Sequence, residues 1–155
     1  MAACLEARWI TGGSCWPFIN ERLNVGMIEP YPATPSERDR WILSLRPPAN
    51  PVNVLEPNAV LLERERADNG TIASVATVFL TNRQCPWRCV MCDLWRDTTS
   101  ETVPAGAIPQ QIDAALRLLS TRGAASQLKL YNSGSFFDAR AIPIEDHPAI
   151  AERVR

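Results

Sequence analysis

The sequence predicts an α/β fold with parallel strands, because strand-forming and helical segments alternate along its second half. From residue 72 onward the order is strand, loop, helix, strand, loop and helix. The first of these strands, residues 72–80, is almost wholly small or apolar, which is typical of a strand buried on both faces. A second β-prone segment, residues 59–66, precedes it, and Asn69-Gly70 between the two predicts a β-hairpin.

Helical spacing of apolar residues marks the segment between the two parallel strands. Ile112, Leu116 and Leu119 recur on one helical face, and Gly123 can end this helix. A short second strand follows over residues 128–131. The remaining predicted features are Pro109 at the first helical position, a turn-rich loop over residues 132–138 and a last helix from about Asp146, with Pro148 in its first turn.

The first third of the chain is less regular. Residues 1–35 predict an irregular leader, and residues 47–58, rich in proline and asparagine, predict an extended linker. Between them Ser36 has the form of a helix N-cap, which predicts one short helix. We therefore divide the chain into a leader and linker over residues 1–54 and an α/β core over residues 55–155.

Composition narrows the classes of partner. The net charge of −1 gives no support for a broad basic surface that grips nucleic acid. No stretch is long and apolar enough to span a membrane, and the N-terminus lacks the pattern of a secretory signal, so we expect a cytoplasmic location and no membrane partner. Thiols stay reduced there, so clustered cysteines favour metal ligands over disulfides.

Three of the five cysteines lie close together, directly after the apolar strand: Cys85, Cys89 and Cys92. Soft thiolates suit an iron–sulfur cluster or zinc. Structural zinc prefers four protein ligands, and a fourth would have to come from a distant part of the sequence. A cluster held by three cysteines keeps one iron open for a chelating cofactor. The alternatives are zinc with a distant fourth ligand, a redox-active cysteine pair and ordinary buried cysteines.

This cysteine spacing at the end of a buried strand resembles the signature of the radical S-adenosylmethionine (SAM) superfamily. The resemblance implies that Cys85, Cys89 and Cys92 ligate a 4Fe–4S cluster whose open iron binds the amino and carboxylate groups of SAM. Electron transfer from the cluster then cleaves SAM to a 5′-deoxyadenosyl radical in the complete enzyme. The resemblance also implies that Met91 lies beside the adenine and that a protein such as flavodoxin or ferredoxin supplies the electron.

A second motif falls where the superfamily predicts one. Members carry a glycine-rich loop after the second strand that hydrogen-bonds the amino group of SAM, and Ser133, Gly134 and Ser135 occupy that place. In isolation this tripeptide is equally an ordinary turn. Residues 81–95 and 129–138 resemble especially the branch that contains the Elongator catalytic subunit and the archaeosine-forming tRNA enzymes, which makes tRNA a hypothetical partner.

The superfamily core is a partial barrel with more strand–helix units than the two predicted here. The resemblance therefore predicts the N-terminal portion of such a barrel, truncated or completed by a second chain, and preceded by the hairpin and the irregular leader. We expect the 155-residue chain alone to be weak or inactive as a catalyst, and no residue is assigned a catalytic role. The alternative functions are a non-catalytic iron–sulfur or zinc module and an inactive gene fragment.

Overall fold

The computed structural model describes residues 31–155, which contain three α-helices and three β-strands. The predicted leader lies outside the described residues, apart from its C-terminal end. No helix in the described range is both long and apolar enough to cross a bilayer. The elements are α1 (Pro35–Leu45), β1 (Ala59–Arg66), β2 (Ile72–Phe79), α2 (Ala107–Arg122), β3 (Gln127–Tyr131) and α3 (His147–Arg153), with short 3-10 turns at Leu94–Asp97 and Ile144–Asp146.

The strands form one sheet in the order β1-β2-β3. β1 is antiparallel to β2, and the predicted hairpin turn is confirmed: the side chain of Asn69 accepts from the backbone N–H of Thr71, and Gly70 has a φ of +81°. β3 is parallel to β2, as predicted, and α2 is the crossover helix between them. The α/β class and the alternation of two strand–helix units are thus confirmed.

Alternation of side chains along each strand gives the sheet two different faces. One face packs against α2, which in turn packs against α3, and the three layers form the core. The centre of β2 is buried on both sides, as its apolar sequence predicts. The other face carries half-exposed side chains, among them the stacked rings of Phe79 and Tyr131, whose centroids are 5.4 Å apart. The core residues include Val60, Ala76, Val78, Ile108, Ile112, Leu119, Ile142 and Ile150.

The helix ends correct part of the sequence analysis. Ser36 does not cap α1, because the helix already begins at Pro35, a residue type that suits the first helical position. Ser36 therefore lies inside the first turn. Thr34 is the N-cap: its hydroxyl accepts from the backbone N–H of Glu37, and the Glu37 carboxylate accepts from the Thr34 N–H. α2 begins two residues before Pro109, whereas Gly123 does follow its last residue, as predicted.

A buried carboxylate caps α2 from a distant part of the chain. Asp146 is 3% exposed, and its two oxygens accept from the backbone N–H groups of Gly106 at 2.6 Å and of Ile108 at 3.4 Å. These groups at a helix N-terminus have no partner within the helix. Asp146 therefore ties the start of α2 to the start of α3, where the sequence predicted only the beginning of a helix.

A buried amide fixes the carboxyl end of β2. Gln111 on α2 is fully buried, and its oxygen accepts from the backbone N–H of Thr81 at 2.8 Å. Its nitrogen donates to the carbonyl oxygens of Thr81 and Val54, each at 2.8 Å. One side chain thus joins α2, the end of β2 and the linker before β1.

We expect Gln111→Leu to lower the free energy of unfolding by about 2–4 kcal/mol, because it leaves buried backbone groups without partners. Urea denaturation measures this change. The matched control is Gln110→Leu, at the exposed neighbouring position, which should change stability by about 0.5 kcal/mol or less. Equal effects of the two substitutions would contradict the role given to Gln111.

Asp113 on α2 gives stability a small dependence on pH. Arg153 donates to its two carboxylate oxygens at 2.8 and 2.9 Å, and these hydrogen bonds hold the pKa of Asp113 below its ordinary value of 3.8. The stabilisation is therefore complete above pH 3.8 and is lost as the pH falls through the lower folded-state pKa. Both side chains are partly exposed, so screening by solvent keeps the contribution small.

Asp113→Asn should lower the free energy of unfolding by about 0.5 kcal/mol at neutral pH and have no effect once the carboxylate of the parent protein is protonated. Urea denaturation at several pH values measures this difference. Asp68→Asn, in the turn of the hairpin, serves as the control. A stability difference between Asp113→Asn and the parent protein that grows as the pH falls would contradict the lowered pKa of Asp113.

Candidate functional site

The candidate site lies at the edge of the sheet where β2 and β3 end. Because these strands are parallel, their carboxyl ends meet at the same edge, which is where open α/β sheets bind ligands. The loop that carries Cys85, Cys89 and Cys92, called the cysteine loop below, follows β2, and the loop that contains Ser133 follows β3. The topology thus brings together the two sequence motifs, which are about one strand–helix unit apart in the chain.

The side chain of Asn82 joins these two loops through hydrogen bonds. It is fully buried, its side-chain oxygen accepts from the backbone N–H of Ser133 at 2.9 Å, and its nitrogen donates to the Ser133 carbonyl at 2.9 Å. The same nitrogen donates to the carbonyl of Arg83 at 2.9 Å. A buried amide that bonds both backbone groups of one residue fixes the register between the loops. The sequence analysis did not identify Asn82 as a functional residue.

Cys85 lies directly against the loop after β3. Its backbone N–H donates to the hydroxyl of Ser133 at 3.2 Å. Gly134 has a φ of +84°, and a Cβ at that position would lie 3.4 Å from the Cβ of Cys85 and 3.5 Å from its sulfur. These distances are ordinary van der Waals contacts, so a side chain would fit in space, but it would strain the backbone at this positive φ. Ser135 instead accepts from the N–H of Phe137 within its own loop.

The other two cysteines of the loop are accessible. Cys89 is exposed and Cys92 is half-buried, and the backbone N–H of Cys92 donates to the Cys89 carbonyl at 3.3 Å. All three are free thiols. Within residues 31–155, no group of three or more His, Cys, Asp or Glu side chains is arranged to hold a metal ion. Thiolates are the donors that iron–sulfur clusters use, but these three cysteines are not arranged around a common metal position in the described residues.

A cavity of about 420 Å³ opens beside Ser133 at the same edge of the sheet. Its aromatic walls are Phe79 and Tyr131, and its rim carries polar and charged side chains. Apolar walls with a few placed polar groups are typical of sites for small organic ligands. Met91 does not line this cavity: it is 85% exposed and borders a separate hollow near the end of α1. The rim includes Asn50, Asn58, Asp93, Arg96, Asp97 and Asn132.

Residues of the predicted linker contact the segment that directly follows the cysteine loop. The backbone N–H of Asn50 donates to the carbonyl of Arg96 at 2.7 Å, and its side chain donates to the carboxylate of Asp97 at 2.8 Å. The guanidinium of Arg46 lies 4.9 Å from the ring centroid of the buried Trp95. Residues before the core thus contact the candidate site, although no local pattern in the sequence indicates these contacts.

Comparison of the chain with protein-family models, with curated proteins and with solved structures found no match.

Asn82→Ala should release the loop after β3 from the loop after β2 and lower the free energy of unfolding by about 2–4 kcal/mol, because two buried hydrogen bonds and one part-buried hydrogen bond are lost. Hydrogen exchange of the Ser133 and Gly134 amides should become faster, and Cys85 should react faster with a thiol reagent. Gln110→Ala, at an exposed position on α2 outside this site, is the control. Unchanged exchange at Ser133 in the Asn82 variant would contradict this joining role of Asn82.

Proposed function

We propose that the described part of the chain is a cluster- and SAM-binding domain of the radical SAM type, corresponding to the N-terminal portion of a partial barrel. The observation that carries this proposal is the contact between Cys85 and the loop that contains Ser133 and Gly134. A thiol-bearing loop and a glycine-containing loop meet at the carboxyl edge of two parallel strands, as the resemblance implies for a cluster and its cofactor.

Each residue has a distinct part in this proposal. Cys85, Cys89 and Cys92 would hold a 4Fe–4S cluster, which when bound supplies the electron that cleaves SAM reductively. Gly134 supplies the positive φ that the loop beside Cys85 adopts. The hydroxyl of Ser133 holds the Cys85 backbone in place. The chain's own contribution is thus to position the first ligand before any cofactor arrives.

The cavity beside Ser133 supports the cofactor part of the proposal. Its volume of about 420 Å³ falls within the range of pockets that hold small organic ligands. Stacked aromatic side chains at Phe79 and Tyr131 offer a flat apolar wall, and Asp93 and Asn132 offer hydrogen-bonding groups. A nucleoside such as the one in SAM combines an apolar ring with several polar groups, so it matches this kind of lining.

The edge strand β3 supports the part of the proposal in which further strands complete the barrel. Among the described residues, β3 pairs with β2 alone, so its other edge is free to pair with a further strand. A second chain or further strands would complete the barrel there. A reductant such as flavodoxin or ferredoxin and a tRNA substrate belong to the same proposal, and they come from the sequence resemblance.

Anaerobic reconstitution of the full 155-residue chain with ferrous iron and sulfide tests the cluster. We expect about four irons and matching sulfide per chain. Cys85→Ala, Cys89→Ala and Cys92→Ala should each remove most of the iron, because each deletes one of three thiolate ligands. Cys4→Ala and Cys15→Ala are the matched controls and should retain it.

The other outcomes separate the alternative functions. One tightly bound zinc per chain would indicate a zinc module, and absence of metal from the reconstituted protein would indicate an inactive fragment. Addition of SAM should change the electron paramagnetic resonance spectrum of the reduced cluster. Little 5′-deoxyadenosine should form, and rapid formation by this chain alone would contradict the incomplete barrel.

A further inference from the structure

A second cavity, of about 270 Å³, lies on the arginine-rich side of the cysteine loop. Arg83, Arg88 and Arg140 line it, and Asp138 is the acidic residue in its lining. Three guanidinium groups against one carboxylate give the cavity a net positive charge, although the whole chain carries a net charge of −1. Such a concentration of arginine in one concave place favours an anionic ligand.

Two of the arginines are held in place by neighbouring groups. A terminal nitrogen of Arg88 donates to the carbonyl of Cys85 at 3.0 Å, which leaves its other donors available. Arg140 contacts Asp138 through two hydrogen bonds of 3.3 Å each, longer than the usual distance for a charged pair. The backbone N–H of Arg140, its guanidinium and the nearby charge of Arg83 all lower the pKa of Asp138, so the carboxylate is ionised and competes for the arginines.

We propose that this cavity binds a phosphate group of a ligand, with Arg83, Arg88 and Arg140 as its donors. The guanidinium group is planar and always charged, and its paired N–H groups match two phosphate oxygens at once. The proposal uses neither the thiols nor the larger cavity, so it goes beyond the proposed function and does not depend on it.

Two sources of phosphate fit the surroundings of this cavity. Trp87, 76% exposed, lies between two residues of the lining, and Phe137, 84% exposed, directly precedes Asp138. Exposed aromatic side chains next to these lining residues in the chain suit the unpaired bases of a single-stranded nucleic acid. A small phosphorylated molecule would use the arginines without the aromatic residues. The shared chemistry is the phosphate group, and the experiment distinguishes the two sources.

Isothermal titration of the full chain with pyrophosphate, without iron reconstitution, tests the arginines. Arg83→Gln and Arg140→Gln should each weaken binding about tenfold, because each removes charged hydrogen bonds to the ligand. Added salt should weaken binding further, since the cavity is open to solvent. Arg64→Gln, at an exposed position on β1, is the matched control and should leave the affinity unchanged.

Asp138→Asn provides a test that loss of folding cannot imitate. It keeps the side-chain oxygen that accepts from the Arg140 backbone and removes the competing negative charge. Binding of pyrophosphate should become about threefold tighter. Affinity that stays the same or falls in this variant, or affinity that Arg83→Gln leaves unchanged, would overturn the proposal.

A single-stranded RNA oligomer forms the second arm of the experiment. If its binding requires the arginines and also weakens in Trp87→Ala and Phe137→Ala, the site takes the phosphate of a nucleic acid. If only pyrophosphate depends on the arginines, the site takes a small phosphorylated molecule. Absence of arginine-dependent binding in both arms would refute the site, whereas the iron content measured above bears on the proposed function alone.

Discussion

The candidate site depends on the buried amide of Asn82, which holds the loop after β2 against the loop after β3. An amide is suited to this task because it accepts from a backbone N–H and donates to the carbonyl of the same residue, here Ser133. Asn82 is fully buried, so water cannot replace these hydrogen bonds. With Ser133 held in this way, its hydroxyl accepts from the backbone N–H of Cys85. Gln111 supports this arrangement by anchoring Thr81, the residue before Asn82.

The buried residues beneath the candidate site contrast with the exposed loop above them. Thr81 and the amides of Asn82 and Gln111 are buried. The cysteine loop, in contrast, exposes large apolar side chains at Trp87, Val90 and Met91. Exposed apolar groups clustered on one loop commonly mark a surface that contacts something else. A rigid base with an accessible loop suits a site whose ligands close around a cofactor, as the proposed function requires.

Cys85 is hydrogen-bonded to one lining residue of each cavity. Its backbone N–H donates to the hydroxyl of Ser133, which lines the larger cavity, and its carbonyl accepts from Arg88, which lines the smaller one. The two proposals therefore concern different neighbours of one residue. The aromatic side suits a nucleoside cofactor, and the arginine side suits a phosphate group. A ligand on the arginine side would thus lie close to the thiols without using them.

Local signals in the sequence predicted the hairpin at Asn69-Gly70, the buried strand over residues 72–80 and the end of α2 at Gly123, because turns and burial periods depend on neighbouring residues. The cap of α1 was misplaced, since Thr34 and Ser36 are both plausible caps and Pro35 decides between them. Asn82 and Ser133 are 51 residues apart, and Gln111 and Thr81 are 30 apart, so no local pattern encodes either contact. The sequence by itself determined that three thiols follow a buried strand. Only the tertiary structure decided that the loop after β3 meets the first of them, because parallel strands bring their carboxyl ends to one edge of the sheet.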